Sequence, residues 1–133
     1  MNSELPDADS RRDWLGIACS SLCVLHCVAP VVLAVTGSSL AGLAIFGGEW
    51  LHYVLLVLVP AIALWSLLPS FLHHRRWPPL LLAGVGIPLL LLTLVMDESA
   101  EVPLSVTGGL LLIAAHGVNW RLLSLQMPVT GRS

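Results

Sequence analysis

The sequence predicts an all-α integral membrane protein, a four-helix antiparallel bundle with both termini in the cytoplasm. Three observations predict it. Of 133 residues, 56% are hydrophobic and only 11% charged, with a mean hydropathy of +0.88, whereas soluble domains are about 25% charged. Four apolar stretches are each long enough to approach or span ~30 Å of hydrocarbon at 1.5 Å per residue. The arginines fall in alternate connections between them.

Residues 1–12 are polar and acidic without apolar periodicity, and are expected to form a disordered cytoplasmic tail. A single membrane domain is expected over 13–125, with spans at about 14–35, 50–72, 79–96 and 103–123. Gly37, Ser38, Ser39, Gly42, Gly47 and Gly48 break the apolar pattern after the first span. The second span carries Pro60 and Pro69. His73, His74, Arg75, Arg76 and Trp77 then form a sharp stop, and Pro78 and Pro79 suit the first turn of the next helix, where a missing N–H costs little. Gly84, Gly86 and Pro88 are expected to bend the third span. Asp97 to Glu101 reads as an acidic loop, the fourth span follows, and 126–133 is a short cytoplasmic tail. Ser105 with Gly109, and Gly84 with Pro88, are small-residue pairs through which helices can approach closely.

Arg11 and Arg12 precede the first span, Arg75 and Arg76 separate the second and third, and Arg121 and Arg132 lie at or after the end of the fourth. The other two connections hold only acidic charges, so the positive-inside rule places both termini and the middle connection in the cytoplasm. Trp14, Trp50, Trp77 and Trp120 fall near the interfaces, as aromatic belts do. The net charge of -2 is too small to point to nucleic acid. The partner expected from composition is the lipid bilayer, and a homodimer is compatible with so small a bundle.

All three cysteines lie in the first span. Cys19, Cys23 and Cys27 recur every four residues, which lines them along one face of a helix. An (i, i+4) pair sets Cβ atoms roughly 5–6 Å apart, too far for a relaxed disulfide, so free thiols are expected. Two thiolates can hold a metal in linear geometry with sulfurs about 4.6 Å apart, twice a ~2.3 Å bond. Thiolates beside the imidazole of His26 suit soft or borderline ions: mercury, cuprous copper or zinc, in transit rather than permanently bound. Pro30 deprives the His26 carbonyl of its helical donor and is expected to kink the helix there. Cys19 lies about 12 Å along the axis from Cys27, so one ion cannot join all three; Cys19 reads as a relay thiol or a packing residue.

His52 and His116 fall at the end of span two and deep in span four. Either could complete a site across helices, although hydrogen bonding within the bundle is their commoner role. No nucleotide-binding loop, nucleophile elbow, zinc-protease motif or intramembrane catalytic carboxylate is evident, so no enzyme activity is expected.

The chain resembles the MerC family of mercury-resistance membrane proteins. The resemblance rests on Asp13-x-Leu15-Gly16, on Ser21-Leu22-Cys23-x-x-His26-Cys27-x-x-Pro30, on the His- and Arg-rich connection, and on Ala115-His116-x-x-Asn119. It implies four transmembrane helices in the bacterial inner membrane and uptake of mercuric ion toward a cytoplasmic reductase or acceptor, with Cys23 and Cys27 receiving the ion. The mercury transporters also carry cysteines near the C-terminus. None follows Cys27 here, so the resemblance supplies no hand-off site. The expected function is soft-metal transport, mercuric ion first. Transport of zinc or copper, a non-transporting accessory subunit, and a haem or thiol redox protein are the alternatives.

Overall fold

The computed structural model describes residues 8–36 and 49–126. Their regular structure is helical throughout: α1 (Ala8–Thr36), α2 (Glu49–His74), α3 (Pro78–Leu92) and α4 (Glu98–Gln126). The expectations for the outermost tail residues and for the glycine-rich connection at 37–48 lie outside the described residues. Three helical segments, Arg11–Leu33, Trp50–Leu72 and Ser99–Leu125, are long and apolar enough to cross a membrane.

The third apolar helix is shorter than expected. α3 ends at Leu92, and the amides of Thr93, Leu94 and Val95 then bond the carbonyls of Leu90, Leu91 and Leu92 at 3.1–3.3 Å. This tighter winding rises about 2.0 Å per residue, so Pro78 to Val95 extends about 28 Å, close to the thickness of the hydrocarbon layer.

Two boundaries depart from expectation. α1 begins at Ala8, within the stretch expected to be a disordered tail. The acidic stretch expected as a loop is instead the first turn of α4, with the amides of Ala100 and Glu101 bonding the Asp97 carbonyl at 2.9 and 3.2 Å. Acidic residues favour that position because the N-terminal end of a helix carries partial positive charge. Pro78 and Pro79 do open α3. Arg75 ends α2 in the left-handed region (φ 50°), its amide bonding the Phe71 carbonyl at 2.7 Å, the way many helices terminate. Trp77 closes the turn edge-on against Phe71, centroids 4.9 Å apart.

The helices form a ring in which α1 touches α2 and α4, and α3 touches α2 and α4; α2 and α4 also touch each other, whereas among the described residues α1 and α3 do not meet. Neighbours run antiparallel. The start of α1 lies beside the later parts of α2 and α4, through Ser66, His116 and Asn119, and its second half meets the start of α2 through His52. The core holds Leu55, Leu56, Val59, Ala63 and Leu67 of α2, Ala83 and Leu90 of α3, and Leu112 and Ala115 of α4. Large apolar side chains such as Val57, Leu72, Leu81 and Val95 point outward on every side. In water that surface would be costly; in lipid it is the expected one. Trp14, Trp50, Trp77 and Trp120 are exposed near helix ends.

α4 sits close to both neighbours through adjacent glycines. A Cβ on Gly108 would lie 2.9 Å from the Gly86 carbonyl oxygen and 2.9 Å from Leu90 Cγ, whereas one on Gly109 would strike Val24 of α1. The expected pairing of Ser105 with Gly109 therefore lies at a helix contact. The pairing of Gly84 with Pro88 does not: Gly84 has nothing within 4 Å, and Gly86, two residues on, makes the approach. Gly108→Ala is expected to destabilise the protein by about 1–3 kcal/mol through overpacking, read as a lowered melting temperature in detergent. Gly84→Ala is expected to be neutral or mildly stabilising, since alanine is the better helix former.

Candidate metal site

The inner face of α1 is polar. Its buried residues in order are Asp13, Gly16, Ser20, Cys23 and Cys27, spaced three or four apart so that they form one continuous stripe. No large aliphatic side chain interrupts it. The facing helices add Ser66 and Ser70 from α2 and Ser105, His116 and Asn119 from α4, all buried. The stripe expected from spacing alone was Cys19, Cys23 and Cys27. Cys23 (2% exposed) and Cys27 (8%) lie on it, but Cys19 is turned partly outward and Ser20 takes its place inside.

All three cysteines are free thiols. The side chains of Cys23 and Cys27 lie against each other, and Cys27 also lies against Ser105 of α4 and His52 of α2. The Ser105 hydroxyl is buried and makes no directed hydrogen bond within the described protein. His26 stacks on His52 across the α1–α2 interface, ring centroids 6.2 Å apart, and His52 Nε2 pairs with a Glu101 carboxylate oxygen at 3.3 Å. Pro30 is exposed within a helix that continues to Thr36. Among the described residues no group of three or more His, Cys, Asp or Glu side chains is arranged to hold a metal ion. The donor groups that meet on the stripe are thus a pair of thiols, with an imidazole and a hydroxyl beside them.

His116 is not part of that end. Its Nδ1 lies 3.1 Å from Asp13 Oδ1, which also accepts from the Ser66 hydroxyl at 2.7 Å, and Asp13 Oδ2 accepts from Asn119 Nδ2 at 2.8 Å. A carboxylate only accepts, which assigns the ring proton to Nδ1. Gly16 makes the room, since a Cβ there would fall on the His116 ring. Sequence reasoning found no catalytic carboxylate inside the membrane and named Asp13 only in the family motif, just before the first span. The available signal was the helical spacing of Asp13 with Gly16, Ser20 and Cys23. Arg12 itself turns outward, its guanidinium 4.6 Å over the Trp65 ring.

Asp13→Ala would strand three buried donors from two helices. Leaving a buried donor unsatisfied costs about 1–3 kcal/mol, so this variant is expected to melt far below wild type in detergent. Asp13→Asn, which keeps the volume and one acceptor, is expected to lose less. Equal melting of Asp13→Ala and wild type would show that the cluster does not hold the helices together.

The comparisons with known proteins follow the same residues. Neither curated proteins nor solved structures gave a match. The family model described as MerC mercury resistance protein matches residues 13–121, from Asp13 at the start of the buried stripe to Arg121, just past Asn119. That match covers most of the chain, and the three membrane-crossing helices with a shorter apolar fourth fit it: the chain belongs to the MerC mercury resistance family and is a multi-pass membrane protein.

Proposed function

We propose that the protein carries a soft metal cation, mercuric ion first, across the membrane by ligand exchange on Cys23 and Cys27. The observation that carries this reading is the contact of two free, buried thiols on the polar stripe between α1, α2 and α4. Two sulfurs one helical turn apart need open by only a small rotation to reach the ~4.6 Å separation of a linear dithiolate. Linear coordination suits mercuric and cuprous ions. Structural zinc takes four ligands, and the described residues bring no such group together. Family membership favours mercury among these ions.

Orientation completes the reading. Arg11, Arg12, Arg75, Arg76 and Arg121 share the end where α1 starts and α2 and α4 finish, whereas Asp97 and Glu101 belong to the opposite end. By the positive-inside rule the arginine end faces the cytoplasm of a bacterial inner membrane. The ion then enters from the acidic end, meets Cys27 and Cys23, and moves toward the Asp13 end. Cys19, half-buried one turn further along α1, is the next thiol on that course, and a cytoplasmic reductase or acceptor receives the ion beyond it.

Purified, reduced protein is expected to bind about one Hg(II) per chain. The Cys23→Ser/Cys27→Ser double variant is expected to bind only at background, and cells expressing it to lose mercury uptake. Cys19→Ser is expected to keep stoichiometric binding while slowing uptake. Undiminished binding by the double variant would overturn the reading.

A further inference from the structure

We infer that His52 and Glu101 form the entry site for the cation, a two-ligand stop that passes it to Cys27. The inference rests on the thiol-pair reading above and adds a residue pair that the pattern of cysteines does not contain. His52 joins two environments. Its Nε2 meets the Glu101 carboxylate at 3.3 Å, and its ring lies beside the Cys27 thiol and stacks on His26. Exposure falls along the same line: the side chains of Glu101 and His52 are 37% and 16% exposed, and Cys27 and Cys23 are 8% and 2% exposed.

Three different helices contribute this line, α4, α2 and α1, so it is tertiary structure and not a consequence of spacing within one segment. Its order of ligands also follows the chemistry. A carboxylate at the surface attracts a hydrated cation without binding a soft ion tightly. Imidazole nitrogen is an intermediate ligand, and thiolate is the strongest for soft metals. An ion moving from Glu101 through His52 to Cys27 therefore gains affinity at each exchange while losing water. Two ligands of moderate strength delay an ion without keeping it, in agreement with the absence of any larger donor group among the described residues.

The test is the rate of Hg(II) capture by the full-length, detergent-solubilised, reduced protein, followed in a stopped-flow instrument by mercury–thiolate absorbance. Glu101→Gln and His52→Ala are each expected to lower the capture rate roughly tenfold, the lower end of what local charge and steering contribute, with final stoichiometry unchanged. His52→Gln, which preserves polarity but lacks the imidazole nitrogen, is expected to behave as His52→Ala, provided each variant elutes as the wild type on gel filtration. Asp97→Asn removes the same charge from an exposed position at the same end and is expected to stay within about twofold of wild type. Wild-type rates in the His52 variants would overturn the entry site, as would equal slowing by Asp97→Asn. Loss of stoichiometry in the His52 variants would also overturn it, making His52 a lasting ligand. Each of these outcomes leaves the thiol reading intact, because that reading fails only if the Cys23→Ser/Cys27→Ser variant still binds.

Discussion

A carboxylate buried where three helices meet fixes the register of this bundle. Taking an ion out of water costs several kcal/mol even after relaxation, and Asp13 offsets that cost only with all of Ser66, His116 and Asn119 in place. Sliding α2 or α4 along α1 by one turn, about 5.4 Å, would strand the charge and its donors together. The same register governs the other end. Cys27 lies 14 residues beyond Asp13, His52 lies 14 before Ser66, and Ser105 lies 11 before His116. In antiparallel helices at 1.5 Å per residue these offsets are about 21, 21 and 16 Å, which brings imidazole and hydroxyl to the level of the thiols. A structural contact at one end thereby positions the chemistry at the other.

The cost of a polar stripe is lost apolar packing, and close approach offsets it. In lipid the hydrophobic effect contributes little to helix association, which depends on van der Waals contact and interhelical hydrogen bonds. α1 presents Gly16, Ser20 and two cysteines inward, so its neighbours come near. His116 lies over Gly16, and Val24 fills the space at Gly109. On the far side of α4, Gly108 meets Gly86 backbone to backbone. α3 takes no part in the Asp13 cluster and is held by this contact and by Leu90, fully buried against it.

The helices and part of the candidate site were legible in the sequence. Apolar length and arginine placement located all four helices, because lipid imposes length and charge rules that single segments obey. The thiols on the first helix could also be read, since they share one element and its period. What could not be read depends on tertiary contact. Whether Cys19 or Ser20 faces inward is a rotation of roughly 100° about one helix, decided by the partners of Asp13. The choice of Gly86 over Gly84 is decided in the same way by the position of Gly108. Asp13 was read as a motif residue just before the first span, and its burial among three helices is tertiary. The line from Glu101 through His52 to Cys27 joins residues of three helices that no local pattern connects.

Charge balance adds a constraint on the cargo. The described core between the two polar ends is packed by Val59 and Ala63 of α2 and Leu112 of α4, so on the proposed reading an ion crosses on ligands and not through a water-filled pore. Low dielectric penalises net charge steeply. A divalent ion on two thiolates is neutral, whereas a monovalent ion on the same pair carries one negative charge and a tetrathiolate zinc site carries two. Cuprous ion satisfies the linear geometry but leaves the pair charged, and zinc on two thiolates is neutral but lacks the four ligands that it takes. Mercuric ion satisfies both. On the proposed reading, the pairing of two thiols without a third donor is what allows a divalent soft ion to enter the apolar interior without bringing its charge along.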